Sequence, residues 1–169
     1  MSHSFIKLLE NKGILLRVYT QNIDGLEVLA GVSQERMVEC HGHFRSASCI
    51  DCGAPYDIDA CKSFMLEQNV APTCQKCGVQ GTNKGRVKPD IVFFGEELTQ
   101  RFISYVDADV AKCDLLLVLG TSLQVYPVAG IPEWVNCPVV LFNRENVGQN
   151  FWTGKSDIDV FVEGDCDER

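Results

Sequence analysis

The sequence has no excess of basic residues and no long apolar run. Lysine and arginine total 15 against 23 acidic residues, which gives a formal net charge of −8. Nucleic-acid-binding proteins usually carry a basic face, so this balance argues against a direct nucleic-acid partner and suits basic, lysine-rich protein substrates. The apolar run at 115–119 has the length of a strand, far below the roughly 18 residues of a membrane-spanning helix. The composition therefore predicts a folded protein without a membrane partner.

The N-terminal residues MSHSF also lack the basic and apolar regions of a secretory signal peptide. We therefore expect an intracellular, reducing environment, in which disulfide-stabilised scaffolds are uncommon. The nine cysteines are the main clue in the composition, because clustered cysteines in such an environment usually bind metal.

Strand and helix patterns alternate along most of the chain, which predicts an α/β fold with a parallel sheet. The interval 45–86 differs, since it holds two cysteine pairs, several glycines and many small polar residues. We interpret it as a small inserted module, and residues 1–44 and 87–169 as the α/β domain. The helical patterns lie at 4–11, 24–30, 59–68, 99–112 and 128–135, and the strand patterns at 14–19, 90–94, 115–119, 138–142 and 158–162.

Two Cys-x-x-Cys pairs form the strongest motif. Cys49 and Cys52 are separated from Cys74 and Cys77 by 21 residues, close to the spacing of structural four-cysteine zinc sites. Four protein ligands leave no open coordination position, so we expect one structural Zn²⁺ per chain. The alternatives are four unrelated buried thiols or a redox-active pair. Most of the other cysteines are interpreted as small core residues; they are Cys40, Cys61, Cys113, Cys137 and Cys166.

Only three histidines are available for acid–base chemistry. His3 lies near the terminus and is interpreted as a solvated residue at the start of a helix. His41 and His43 flank Gly42 just before the first cysteine pair, and four cysteines already fill a zinc site without them. One of them can serve as a general base near neutral pH, but a purely structural histidine explains the pattern equally well.

Polar residues follow three of the predicted strands. Residues 21–24 (QNID) follow the first strand, residues 120–122 (GTS) follow the strand at 115–119, and Asn143 follows the strand at 138–142. Parallel sheets bind ligands at the carboxyl ends of their strands. Helix capping by Asp24 and an ordinary turn at 120–122 are the alternative explanations. Taken together, the three strand ends suggest a nucleotide site on one edge of the sheet.

The motifs of the chain resemble those of the sirtuins, the NAD-dependent protein lysine deacylases, and in particular their class I branch. The matching segments are 19–24 (YTQNID), 39–42 (ECHG), the two cysteine pairs, 87–96 (VKPDIVFFGE), 120–125 (GTSLQV), 143–145 (NRE) and 164–166 (GDC). They follow the family's order over nearly the whole chain. The resemblance implies a Rossmann-like parallel sheet with an inserted zinc-ribbon module. It also implies transfer of an acyl group from lysine to ADP-ribose, with release of nicotinamide.

The same resemblance implies a role for each site residue. His41 would be the general base, and Gln21 would help to orient it. Residues that would contact the co-substrate NAD are Gln21, Asn22, Ile23, Asp24, Gly120, Thr121, Ser122, Asn143, Glu145 and Cys166. The substrate-binding residues would be Ile91, Val92, Phe93, Phe94, Gly95 and Glu96. Of these, Ile91 would line the nicotinamide pocket, Val92 and Phe93 would pack on the acyl-lysine, and the last three would pair with the peptide as an added strand. The implied partners are NAD and an acylated-lysine protein, such as a histone or another lysine-rich segment. The implied compartment is the cytoplasm or nucleus, with the mitochondrion as the alternative.

The sequence departs from the family pattern at both ends. These 169 residues contain neither the first strand with its Gly-Ala-Gly-x-Ser phosphate loop nor a cofactor loop ending in Asp-Phe-Arg, and no final helix follows Cys166. We therefore expect an incomplete sheet with exposed strand edges, weak NAD binding and little or no deacylase activity from the chain alone. A non-catalytic zinc-binding interaction module is the alternative function.

Overall fold

Helices and strands alternate along the chain, as the sequence patterns predict. The computed structural model describes residues 1–148 and 157–167. Its helices are α1 (Ser2–Asn11), α2 (Leu26–Leu29), α3 (Ile58–Gln68), α4 (Gln100–Lys112) and α5 (Ile131–Trp134). Its strands are β1 (Val18–Thr20), β2 (Met37–Glu39), β3 (Gly42–Cys49), β4 (Pro55–Tyr56), β5 (Val87–Ile91), β6 (Leu116–Leu119), β7 (Val139–Asn143) and β8 (Val160–Glu163).

The chain folds into two compact units, each of which is built from more than one segment of the sequence. The first unit contains Met1–Tyr19, Leu26–Val38 and Gln100–Arg169, and the second contains Thr20–Gly25 and Glu39–Thr99. The predicted module at 45–86 lies inside the second unit. Among the described helices, none combines the length and apolar character needed to cross a bilayer.

A three-stranded parallel sheet forms the centre of the first unit. Its order is β6-β7-β8, with Leu116 paired to Val139. Val118, Val139 and Leu141 form its buried core, and this arrangement confirms the predicted parallel α/β sheet. Within the described part of the chain, β6 pairs only with β7 and is therefore an edge strand. The segments that follow the carboxyl ends of the three strands are 120–122, 144–145 and 164–166.

An antiparallel sheet of order β4-β3-β5 organises the second unit. Cys49 pairs with Val87 and Gly42 pairs with Ile91, and the register shifts between Gly42 and Ala47. Helix α3 begins after Asp57, whose side chain accepts a hydrogen bond from the Ala60 amide as an N-cap. The core of this unit is small and rich in cysteine, and its buried members are Ala47, Cys49, Cys61, Cys74 and Val87.

Two predicted strands have different boundaries in the structure. The apolar run at 14–19 forms a strand only from Val18 onward, because Ile14 is 68% exposed and does not join a buried sheet. The strand predicted at 90–94 instead runs from Val87 to Ile91. Pro89 lies within β5, which is an edge strand of this sheet, where a residue without an N–H is tolerated.

The helix predicted at 128–135 is also divided. A 3₁₀ turn over Val128–Gly130 precedes α5, which begins at Ile131. The indole of Trp134 packs against Gly130, where an added Cβ would lie 2.8 Å from a ring carbon. The glycine therefore provides space for the indole rather than marking a loop.

Candidate active site and metal centre

Four cysteine side chains converge in the second unit, as the paired motifs predict. The Sγ atoms of Cys49, Cys52, Cys74 and Cys77 all lie within 4.8 Å of one another. Two of the separations are 3.5 Å, between Cys49 and Cys77, and 3.8 Å, between Cys52 and Cys74. A tetrahedral zinc ion with Zn–S bonds of about 2.3 Å would hold its sulfurs roughly 3.8 Å apart. The cluster therefore fits zinc, and its four ligands leave no open position for substrate.

The backbone around the cluster is shaped to hold thiolates. The Lys76 amide lies 3.3 Å from the Cys74 sulfur. Backbone hydrogen bonds from Cys77 and Lys76 lower the pKa of Cys74 to about 7, which favours the form that binds metal. Gly78 ends this turn, because a Cβ there would lie 2.4 Å from the Cys74 carbonyl oxygen. Gly85 is similarly constrained, since its own Cβ would lie 2.2 Å from the Gly78 Cα.

His41 follows β2 in the second unit and is held from both sides of its backbone. The Cys40 amide donates to the Thr20 carbonyl oxygen at 2.9 Å, and the Val92 amide donates to the His41 carbonyl oxygen at 2.8 Å. These bonds join the end of β1, the end of β2 and the segment after β5. The predicted catalytic histidine and the predicted substrate segment are therefore neighbours.

The imidazole of His41 contacts the backbone of Gln21, the residue predicted to orient it. Its Nδ1 atom lies 2.9 Å from the Gln21 carbonyl oxygen. Because a carbonyl oxygen only accepts hydrogen bonds, Nδ1 carries a proton, and in the neutral tautomer the lone pair is on Nε2. Asn22, Ile23 and Asp24 are exposed on the segment that continues from Gln21.

The segment after β5 presents apolar side chains to solvent. Phe93 is 54% exposed and Phe94 is 96% exposed. The Glu96 amide donates to the Phe93 carbonyl oxygen at 3.0 Å, so Phe94 and Gly95 form a turn. The strand predicted through residue 94 therefore ends earlier, at Ile91.

Lys88 organises this segment, although it is not among the residues predicted from the sequence. Its ammonium lies 3.1 Å from the Glu96 carboxylate and 5.0 Å from the centre of the Phe93 ring, and it donates to the Ile91 carbonyl oxygen. The Phe93 amide, assisted by Lys88, lowers the pKa of Glu96. Its place within the segment VKPDIVFFGE was the one indication in the sequence that Lys88 belongs to the site. Its contact with Glu96, however, depends on the turn at Phe94 and Gly95.

The first unit brings together most of the residues predicted to bind the nucleotide. The Gly120 amide donates to the Phe142 carbonyl oxygen at 3.0 Å, which joins the ends of β6 and β7. Asn143 donates through Nδ2 to the Thr121 carbonyl oxygen at 3.1 Å and to that of Glu145 at 2.8 Å. The amide of Asn143 therefore ties two of the polar strand ends together.

Cys166 completes this group from the segment after β8. Its thiol donates to the Phe142 carbonyl oxygen at 3.3 Å. Gly120 has a φ of +54° and lies so close that a Cβ would be 3.4 Å from the Cys166 sulfur. Ser122 is exposed on the adjacent loop. The predicted NAD residues are thus divided, with residues 21–24 in the second unit and the remainder in the first.

The other two histidines have separate environments. His3 lies 3.9 Å from the buried Glu27 carboxylate, and its side chain is 31% exposed. The Nδ1 atom of His43 is buried and has no hydrogen-bond partner among the described residues. Of the three, only His41 combines an oriented ring with neighbouring predicted substrate residues.

Taken together, the parallel sheet with polar strand ends and the separate four-cysteine cluster define an α/β protein with a candidate nucleotide site and a structural metal site. A sequence model of the Sir2 family matches residues 1–127. The chain therefore belongs to the Sir2 family.

Individual relatives match almost the full chain. It is 46% identical to a protein of Dictyostelium discoideum named NAD-dependent deacetylase sir2D, over 99% of this chain and 30% of that protein. It is 41% identical to the NAD-dependent protein deacetylase hst2 of Schizosaccharomyces pombe, over 99% of this chain and 48% of that protein. Zebrafish NAD-dependent protein deacetylase sirtuin-2 is 44% identical, over 88% of this chain and 38% of the relative. The chain thus spans less than half the length of these relatives.

Proposed function

We propose that this chain carries the base and the acyl-lysine-binding residues of an NAD-dependent protein lysine deacylase. The reaction moves an acyl group from lysine to ADP-ribose and releases nicotinamide. The observation that carries the proposal is the 2.9 Å contact between the His41 Nδ1 atom and the Gln21 carbonyl oxygen. The contact orients the ring so that, in the neutral imidazole, the lone pair lies on Nε2, the atom that would act as the general base.

The surroundings of His41 support this role. The adjacent thiol of Cys40 is completely buried, and burial raises its pKa to about 12. Cys40 therefore remains protonated near neutral pH and does not compete with the imidazole as a nucleophile or base. The half-buried His41 ring is fixed by its carbonyl contact yet remains open to a bound ribose hydroxyl.

The segment after β5 supports the binding of an acyl-lysine peptide. The hydrogen bond between Val92 and the His41 carbonyl oxygen keeps this segment beside the base. Val92 and Phe93 provide apolar surface for the acyl chain, Ile91 is assigned to the nicotinamide pocket, and the exposed Phe94 side chain is available to the peptide. The backbone of Phe94, Gly95 and Glu96 is proposed to pair with the peptide.

The edge of the parallel sheet supports nucleotide binding. When bound, NAD supplies the electrophilic ribose carbon and the nicotinamide leaving group. Gly120 permits close approach of the backbone, and Asn143 fixes the loops that contain Thr121 and Glu145. We assign Ser122 to the same phosphate and ribose contacts, and Cys166 to the adenine. Asn22, Ile23 and Asp24 are assigned to the nicotinamide end.

The zinc ion is proposed to be structural. Cys49 and Cys74 lie in the core of the second unit, and the ion would connect the two turns on which the four cysteines lie. The net charge of −8 favours lysine-rich protein substrates, including histone segments. An intracellular location, cytoplasmic or nuclear with the mitochondrion as the alternative, belongs to the same proposal.

The test measures nicotinamide release and deacetylation of an acetyl-lysine peptide by mass spectrometry, for this chain and for the full product of its gene. We expect the full product to require NAD, peptide and His41, and this chain alone to be weak. His41→Ala should abolish turnover by the full product and leave its zinc content unchanged. The matched control is His3→Ala, which should keep the turnover.

Unchanged turnover in His41→Ala would disprove the assignment of the base. A folded, zinc-loaded full product that releases no nicotinamide would instead favour a non-catalytic zinc-binding interaction module.

A further inference from the structure

Two cysteines outside the metal cluster lie close together in the first unit. Cys113 follows the last residue of α4, and Cys137 lies between α5 and β7. Their Sγ atoms are 3.6 Å apart although the residues are separated by 24 positions in the sequence. Both side chains are partly exposed to solvent. The four metal-site cysteines all belong to the second unit, so this pair is a separate group of thiols.

The parallel sheet holds the two cysteines in place. Leu116 pairs with Val139, and the Leu116 amide donates to the Pro138 carbonyl oxygen at 2.9 Å. Cys113 and Cys137 therefore lie just before the amino ends of two neighbouring strands. Of the residues proposed to bind nucleotide, Gly120, Thr121 and Ser122 follow the carboxyl end of β6 and Asn143 ends β7, so they lie at the opposite ends of the same two strands.

We propose that Cys113 and Cys137 form an oxidation site, a dithiol pair that a peroxide converts to an intramolecular disulfide. The sulfurs must approach by about 1.5 Å to reach the normal S–S bond length of about 2.05 Å. Rotation of the side chains can supply such a movement, because both cysteines lie in connections rather than inside the strands. The inference concerns the first unit alone and does not depend on the deacylase function.

The chemistry balances with hydrogen peroxide as the oxidant. The Cys137 thiolate attacks one peroxide oxygen, the O–O bond breaks, and the departing hydroxide takes up a proton to leave as water. The resulting sulfenic acid is attacked by the sulfur of Cys113, which loses its proton as the S–S bond forms and the S–O bond breaks. A second water leaves, so the two thiols lose two electrons and the peroxide gains them.

The environment of Cys113 suits it to the second step, the attack on the sulfenic acid of Cys137. Its thiol donates to the Leu115 carbonyl oxygen at 3.2 Å and accepts a hydrogen bond from Cys137. Burial, followed by the hydrogen bond with Cys137, raises the pKa of Cys113 to about 11. Cys113 therefore retains its proton near neutral pH until the sulfenic acid forms beside it.

Peptide mapping tests the pair directly. No lysine or arginine lies between Lys112 and Arg144, so trypsin leaves both cysteines in one peptide. Cleavage after Glu133 by a glutamate-specific protease then separates that peptide into 113–133 and 134–144. After treatment of the folded, zinc-loaded chain with hydrogen peroxide and alkylation of the remaining thiols, these two fragments should stay linked. Dithiothreitol should release them.

Three single variants provide the comparison. Cys113→Ser and Cys137→Ser should each lose the linked fragments completely, whereas Cys166→Ser should keep them. In the Cys113→Ser variant, dimedone should trap a sulfenic acid on Cys137. Circular dichroism of each reduced variant checks that it is folded, and peroxide treatment of the wild-type chain in guanidinium should reduce the specific linkage.

Two results would overturn the proposal. One is a folded wild-type chain in which Cys113 and Cys137 stay alkylatable, or are oxidised separately to sulfinic acids, under conditions that oxidise a free thiol. The other is linkage of either cysteine to a different partner. If dimedone labels Cys113 in Cys137→Ser more than Cys137 in Cys113→Ser, the proposed order of attack is reversed and the assignment of Cys137 as first nucleophile fails.

Discussion

Arg17 donates through Nε to the carboxylate of Asp109, and both side chains are largely buried in the first unit. The Tyr19 hydroxyl donates to the same carboxylate at 2.6 Å, and the Arg17 guanidinium lies 4.1 Å from the centre of the Tyr105 ring. The hydrogen bond that Arg17 donates to Asp109 raises the pKa of Arg17. This ion pair connects the segment before β1 to helix α4, which lies far along the chain.

Replacement of Asp109 by alanine should destabilise the chain strongly. The change leaves the Arg17 charge buried without its partner, which typically costs about 3–5 kcal/mol. Asp107→Ala, on the exposed face of the same helix, is the matched control and should change stability by less than about 0.5 kcal/mol. Urea unfolding followed by circular dichroism measures both. Similar values for the two variants would contradict the structural role of the pair.

Gly42 should tolerate no side chain. Its φ is +73°, and a Cβ at this position would lie 2.0 Å from the Asp90 carbonyl oxygen. Gly13 has nearly the same φ, +72°, but no atom within 4 Å of an added Cβ. Gly13→Ala should therefore cost about 1–2 kcal/mol for the left-handed conformation alone, and Gly42→Ala an additional 1–3 kcal/mol or so for the clash.

The comparison of these two alanine variants separates backbone strain from crowding. Chemical unfolding of each variant gives the two free energies. If the Gly42 variant is no less stable than the Gly13 variant, the close pairing of β3 with β5 at this point is wrong.

Cys52→Ser should remove zinc from the chain. The purified wild-type chain should contain about one zinc ion, since four thiolates form a closed tetrahedral site. Loss of one ligand should weaken binding and open the second unit, because metal binding and folding are coupled. Elemental analysis and limited proteolysis measure the two effects. Cys113→Ser is the control and should keep its zinc; full zinc occupancy in Cys52→Ser would refute the four-cysteine centre.

Glu10 should make stability depend on acid pH. Hydrogen bonds from Ser33, with those of Lys7, lower the pKa of Glu10 from 4.5 to about 2. Because the folded state has the lower pKa, the stabilisation is fully present above about pH 4.5 and is lost as the pH falls toward about 2. Unfolding midpoints across this range should therefore fall less steeply for Glu10→Gln than for the wild-type chain.

The exposed Glu67 on α3 supplies the control for this titration. Glu67→Gln should retain the wild-type slope between about pH 4.5 and pH 2. The explanation fails if the Glu10 and Glu67 variants have the same pH dependence as the wild-type chain.

The sequence alone was sufficient to predict those features that depend on neighbouring residues along the chain. The four metal-site cysteines could be predicted because each pair lies within one turn, and the parallel strands could be predicted from their apolar runs. The contact between His41 and Gln21 was implied only by the family resemblance, and its use of the backbone carbonyl became visible in the structure.

Contacts between distant residues could not be predicted in this way. Arg17 and Asp109 are 92 positions apart, and nothing in the local pattern of either residue indicates the other. Cys113 and Cys137 belong to the group interpreted mostly as small core residues, and their proximity could not be predicted because it follows from the pairing of β6 with β7. The contact of Lys88 with Glu96 depends on the turn at Phe94 and Gly95.

The position of the cysteine-rich segment has a consequence for the divergence of such proteins. It leaves β3 after Cys49 and returns to β5 at Val87, and these two residues are paired across the sheet. A chain that exits and re-enters at one rung of an antiparallel ladder can gain, lose or exchange the intervening residues without altering the register of the remaining strands. The segment itself carries β4 and three of the four metal ligands. A graft of a different length between the same two positions would therefore keep β3 paired with β5 provided that it supplies equivalent ligands for the metal.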